Sequence, residues 1–131
     1  MDAAAVEDLE GVRFYTYGRL PETTIMFQLA VFPLDGEVPP DQLDGFLEQE
    51  RRTLDERRPA GAVAKGPATR VTLGARPAVT VRNELPNGVQ VVSTIVVLGD
   101  KEVVLQAYST KDRPASWAGI EDKVAASLGS P

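Results

Sequence analysis

Cysteine and histidine are both missing from this 131-residue chain. Without cysteine there is no disulfide, no thiolate nucleophile and no sulfur ligand. Without histidine the commonest general base and the commonest metal ligand are gone. No apolar run reaches the roughly 18 residues that a membrane-spanning helix needs. The N-terminus is acidic where a signal peptide would be basic. The chain as it stands is therefore expected in the cytoplasm, or in the cell envelope if a leader has been removed from it. Positive charge is also short, with 14 basic against 19 acidic residues and a net charge of −5. That balance argues against nucleic acid as a partner.

What remains is an ordinary globular composition, 43% apolar and 25% charged, at a length that suits one domain. The charge is unevenly spread. Asp2, Glu7, Asp8 and Glu10 put four negative charges in the first ten residues with no positive one. Residues 51–82 hold eight of the 14 basic residues against only Asp55 and Glu56.

Residues 67–110 organise the chain. They read as four strands joined by turns at Gly74-Ala75, Asn87-Gly88 and Gly99-Asp100. Asn-Gly is the strongest short hairpin signal, because a type I′ turn needs φ > 0 at both central residues. The strands at 78–85, 89–98 and 102–110 are rich in β-branched residues, which suit a pleated surface. Two-residue loops at Asn87-Gly88 and Gly99-Asp100 set Val81 opposite Thr94, Val79 opposite Val96, Val96 opposite Val103 and Thr94 opposite Leu105. A three-residue loop with Gly74 left-handed sets Val71 beside Val79. Val79, Val81, Val92, Thr94, Val96, Val103, Leu105 and Ala107 then share an apolar core face. The other face is mixed.

Ahead of the meander, residues 1–10 read as a mobile arm or a short helix, and a single domain follows over 11–131. Strands are expected at 12–17 and 24–32, the second with Ile25, Phe27, Leu29 and Val31 on one face. A helix is expected from Pro40 to Arg58, because proline suits a first turn and Leu43, Phe46, Leu47 and Leu54 form an apolar stripe. Gly45 inside it suggests close approach of the helix to the sheet. Residues 59–66 read as a flexible connection. Residues after Thr110 turn helical, with Trp117, Ile120, Val124 and Leu128 as the stripe.

The run TLGARPAVTVRNELPNGVQVVSTIVVLGDKEVVLQAYST, a closing segment ending in AASL and a preceding helix like PPDQLDGFLEQERRTL resemble the DcrB-like proteins of the PsbP-like superfamily. The match covers roughly residues 24–128, and the Pro-x-x-Trp segment of many relatives is missing. The resemblance implies an α+β fold, an α/β/α sandwich around a central antiparallel sheet of about six strands, in the order β-β-α-β-β-β-β-α. It implies non-enzymatic roles. Superfamily members include a photosystem subunit, a Ran-binding protein, envelope lipoproteins and chaperone-like adaptors of type VI secretion effectors. No catalytic residue and no cofactor comes with it.

Candidate sites are few. Asp41, Asp44 and Glu48 recur at helical spacing and could line a metal site, or form a solvated acidic first turn. Ser109, Thr110, Lys111 and Asp112 set a nucleophile beside a lysine, or end a strand and cap a helix. Arg51, Arg52, Arg57, Arg58, Arg70, Arg76 and Arg82 could bind an acidic partner. The mixed sheet face, with Thr80, Arg82, Ser93, Ile95, Val104, Gln106 and Tyr108, is the preferred site for a protein partner or a second copy of the chain, the alternative being that the closing helix after Thr110 covers it. Apolar residues interleaved with polar ones are what a docking surface presents. The preferred reading is a non-catalytic adaptor that holds a partner segment on that face. The alternative is an envelope protein binding a small apolar ligand between sheet and helix. An enzyme ranks last, since no catalytic constellation is present.

Overall fold

The computed structural model describes residues 4–9, 12–18, 20, 25–73 and 76–110. The strands are β1 (Ala4–Leu9), β2 (Val12–Tyr17), β3 (Ile25–Pro33), β4 (Val63–Ala64), β5 (Thr69–Leu73), β6 (Arg76–Glu84), β7 (Gln90–Leu98) and β8 (Lys101–Ser109), with helix α1 at Pro40–Glu56. All eight strands join one antiparallel sheet in the order β1-β2-β3-β8-β7-β6, and β4 and β5 share the far edge of β6. The fold is an α+β sandwich with a central antiparallel sheet, as expected, but with eight strands rather than six. Where an arm or a short helix was expected, Ala4–Leu9 pairs with β2. The connection at 59–66 contains the short strand β4. The closing helix expected after Thr110 lies outside the described residues.

α1 begins with Pro40 at its first turn, and the carbonyl of Pro39 accepts from the amides of Gln42 and Leu43 at 2.8 and 3.0 Å. It ends at Glu56, where the Arg57 amide donates to the Thr53 carbonyl at 2.9 Å. Leu47 is fully buried, and Leu43, Phe46 and Leu54 are half-buried beside it. Gly45 is exposed, and a Cβ there would meet nothing within 4 Å. Close packing is therefore not the reason for this glycine.

The register of the β6–β7 hairpin departs from expectation. Val81 faces Ser93 and Val79 faces Ile95, one residue from the expected pairing. The cause is Pro86. A two-residue Asn87-Gly88 loop would make Pro86 the strand residue that donates its N–H across the hairpin, and proline has none. Pro86 instead takes the second position of a four-residue turn, where its fixed φ is favourable. The Gly88 amide donates to the Leu85 carbonyl at 2.8 Å, and the Leu85 amide to the Val89 carbonyl at 2.8 Å. Gly88 absorbs the extra residue at a φ of +86°, as in a three-residue hairpin loop with a left-handed last position. The Gly99-Asp100 loop has two residues, as expected, with Val96 opposite Val103 and Thr94 opposite Leu105.

A slip of one residue turns every side chain over. Val79 and Val81 thus leave the expected core face, and Ala78 enters it. The β5–β6 register is Leu73 opposite Arg76, a two-residue loop rather than three, with Arg70 opposite Val79. The conformation expected of Gly74 falls outside the described residues. The two slips cancel for Val71, which stays on the core face opposite Ala78.

The sheet has an inner face and a helix face. On the inner face Ile25, Phe27, Leu105 and Ala107 form one buried cluster, and Ala78, Val96 and Val103 another. Leu73 packs against both. It stands on β5, three strands from β8, so the sheet must curl around this face. The helix face carries Arg70, Val79, Val81, Asn83, Val91, Ser93 and Ile95. α1 lies on it over β5 and β6. Val79 and Val96, one on each face of the sheet, are fully buried, each burial being worth ~1.5–3 kcal/mol.

Candidate docking face

The expected docking residues divide between the two faces. Thr80 and Arg82 fall on the inner face, opposite Thr94 and Val92, because of the β6 slip. Thr80 Oγ1 lies 3.5 Å from Thr94 Oγ1. Neither residue belongs to the mixed face. Ser93, Ile95, Val104, Gln106 and Tyr108 remain together on the helix face. Of these, Ser93 and Ile95 are only 5% and 3% exposed, so they are core. Val104, Gln106 and Tyr108 are half-buried.

β3 completes the surface. It pairs with the free edge of β8, Gln28 opposite Gln106, Met26 opposite Tyr108 and Ala30 opposite Val104. β2 adds Thr16 opposite Gln28 and Phe14 opposite Ala30. Ser93, Gln106, Gln28 and Thr16 therefore stand in one polar row across four strands, at strand spacings of ~4.8 Å. An apolar row of Ile95, Val104, Ala30 and Phe14 flanks it on one side. Val91, Tyr108 and Met26 flank it on the other. From β8 outward the three rows are half-buried. Tyr108 Oη donates to Gln106 Oε1 at 3.0 Å, and burial raises the Tyr108 pKa. Among the described residues the Gln28 amide and Gln106 Nε2 have no hydrogen-bond partner.

The β3 residues were readable as a set, since Met26, Gln28, Ala30 and Phe32 alternate with the apolar Ile25, Phe27, Leu29 and Val31. Local sequence carries no sign that this set lies beside β8.

Arg51, Arg58 and Arg70 of the basic stretch are engaged within the fold. Arg51 holds Glu48 at 2.7 Å and reaches the Ala68 carbonyl at 3.4 Å. Arg58 binds Asp55 and Asn83 Oδ1 at 2.6 Å each, and the Gly66 carbonyl at 2.9 Å. Arg70 pairs with Asp44 at 3.0 Å. Asp55 also accepts from the Ala68 amide at 3.2 Å. These groups fasten α1 to β5 and β6. The Ala68 amide and the Arg58 guanidinium hold the Asp55 carboxyl below its ordinary range, and Arg51 does the same for Glu48. The acidic set Asp41, Asp44 and Glu48 is likewise divided, with Asp44 on Arg70 and Glu48 on Arg51 and Arg52. No group of three ligating side chains suited to a metal occurs among the described residues. Ser109 ends β8 between Ile25 and Gln90, and its expected neighbours Lys111 and Asp112 lie outside the described residues.

One titratable pair escaped the sequence reading. Glu102 sits on the helix face between Phe32 and Val97. Burial, then the nearby Glu50 of α1, pushes its carboxyl up to about 7. Burial also raises Glu50. A carboxyl near 7 suits a general acid, but the cross-strand neighbours of Glu102 are apolar. An open hollow of about 480 Å³ lies elsewhere, between loop residues 34–39 and Gln42 and Phe46 of α1.

No family model and no curated protein matches the chain. Among solved structures, PA94 of Pseudomonas aeruginosa, a protein of unknown function, is similar with a TM-score of 0.53 at 10% identity, over 100% of this chain and 83% of that one. The human StarD13 lipid transfer and protein localization domain aligns at a TM-score of 0.38 and 10% identity, over 98% of this chain and 87% of that one, which is too low to carry any conclusion. No helix among the described residues is long and apolar enough to cross a membrane. The chain therefore shares with PA94 its fold, and the identity supports nothing beyond the fold.

Proposed function

We propose that this domain is a non-catalytic adaptor that holds a segment of a partner protein on its helix face, over β8, β3 and β2. The observation that carries the reading is the polar row. Gln106 and Gln28 stand half-buried with unused hydrogen-bonding groups, between Val104, Ala30 and Phe14 on one side and Tyr108 and Met26 on the other. Neither side chain is fully buried, so in the free protein water serves these amides. A segment that offers polar groups to this row and apolar side chains to its flanks would replace that water. Tyrosine and aromatic anchors suit such a surface. The resemblance to DcrB-like proteins, with adaptors of secretion effectors among their superfamily, supports the same reading and a link to bacterial secretion. The lack of histidine and cysteine supports a non-catalytic role. The hollow between loop 34–39 and α1 lies at the start of the helix rather than between sheet and helix, so it does not favour the small-ligand alternative.

The test is co-expression with the products of neighbouring genes. One of them should co-purify with the domain. Gln106→Ala and Tyr108→Ala should each abolish capture while circular dichroism stays unchanged. Capture that survives both substitutions would contradict the proposal.

A further inference from the structure

Residues 34–39 carry the chain from β3 to α1, and an open hollow of about 480 Å³ lies between this loop and the first turns of the helix. That volume is in the range of small-molecule sites. Leu34, Val38, Pro39 and Phe46 supply the apolar part of the lining, and Asp35, Glu37 and Gln42 the polar part. The loop is held at both ends. The Leu34 amide donates to the Asp100 carbonyl at 2.8 Å, and the Pro39 carbonyl accepts from the Gln42 and Leu43 amides. Between these anchors Gly36 turns the chain at a φ of +97°, a conformation that only glycine adopts freely. The wall of the hollow is therefore a fixed turn.

The charge around it has one sign. Asp35 and Glu37 are exposed, and among the described residues neither has an ion-pair or side-chain hydrogen-bond partner. No basic residue lines the hollow. Lys101 follows the Asp100 carbonyl that holds Leu34, but its ammonium pairs with the Asp100 carboxylate at 3.5 Å. The start of α1 does not reverse the sign. Two of its first amides are used by Pro39, and Asp41 adds a carboxylate in the first turn. Two unpaired carboxylates beside an apolar lining that includes an aromatic ring suit a cation with an apolar body.

We propose that this hollow binds a small organic cation, an alkyl- or arylalkylammonium, with its apolar body against Leu34, Val38 and Phe46 and its charge at Asp35 and Glu37. The site differs in place and in chemistry from the docking rows. Leu34 lies six residues beyond Gln28, roughly 20 Å at the rise of a strand, and the rows carry no carboxylate. The proposal does not rest on the docking reading.

Titration of the full chain with 2-phenylethylammonium, followed by amide chemical shifts, tests the site. The control is 3-phenylpropionate, which has a similar body and the opposite charge. The cation should shift the amides of residues 34–38, 42 and 46 in a saturable way, and the anion should leave them in place. Asp35→Asn combined with Glu37→Gln should weaken cation binding about fivefold, as expected for the loss of two exposed ion pairs. The unfolding midpoint of that variant should not move, because neither side chain holds the fold together. High salt should weaken binding as well. Equal shifts from cation and anion would overturn the proposal by showing an apolar contact alone. So would binding that the double variant retains in full, shifts centred elsewhere in the fold, or no shift with either probe.

Discussion

Gln106 and Gln28 face each other across the β8–β3 ladder, both half-buried, with Tyr108 Oη bonded to Gln106 at 3.0 Å. Two amides side by side between two largely apolar rows are an unusual use of a sheet face. A core would replace them with apolar residues, and a solvated face would not need the Val104, Met26 and Phe14 around them.

The inner face sets the stability of the domain. Leu105 is 4% exposed within its cluster, so Leu105→Ala should cost ~2–5 kcal/mol in denaturant unfolding. Arg52 is 61% exposed and 3.7 Å from Glu48, so Arg52→Ala should cost less than ~1 kcal/mol. Equal denaturation midpoints would contradict the assignment of Leu105 to the core.

Gly45 offers a gain. It lies in an exposed helix interior with open space around its missing Cβ. Gly45→Ala should stabilise the domain by roughly 0.5–1 kcal/mol. A loss of stability would contradict the open space at this position.

The β6–β7 register is held by Pro86 and by the buried faces together. Pro86→Ala should leave Val81 opposite Ser93, because the buried faces hold the register, and should cost ~0.4–1 kcal/mol through the freer unfolded chain. Cross-strand NOEs give the answer. A shift to Val81 opposite Thr94 would show that proline alone excludes the shorter loop.

This hairpin marks how far the sequence was legible. The strands of the meander, the 40–58 helix and the Gly99-Asp100 turn follow from local patterns, and the structure has them. The Asn87-Gly88 signal points to a two-residue loop, but Pro86 has no N–H to donate in one. The resulting slip turns Thr80 and Arg82 to the inner face. The docking rows needed a different kind of information. β3 and β8 lie some 70 residues apart in the chain, so no turn reports their pairing, and Gln28 could not be placed beside Gln106. The Glu50–Glu102 pair was missed for the same reason, since only helix placement brings the two together.

Stability should respond to pH through Glu102. Its folded pKa is raised, from 4.5 to about 7. Between those values the native state holds more protons than the unfolded chain, so stability falls as pH rises through the window and levels off above it. Glu102→Gln should flatten that slope in urea titrations from pH 4 to pH 8. A wild-type slope that the variant retains would place the titrating group elsewhere.

The most direct measurement of the docking face places a photo-crosslinking residue at position 28 in the middle of the polar row. A control carries it at Gln49, on the exposed side of α1. With a co-purifying partner present, the label at 28 should form one adduct that maps to a single partner segment, and Tyr108→Ala in the same chain should abolish it. The label at 49 should form none. An adduct between two copies of this chain, an adduct at 49 alone, or one at 28 that survives Tyr108→Ala would contradict the account.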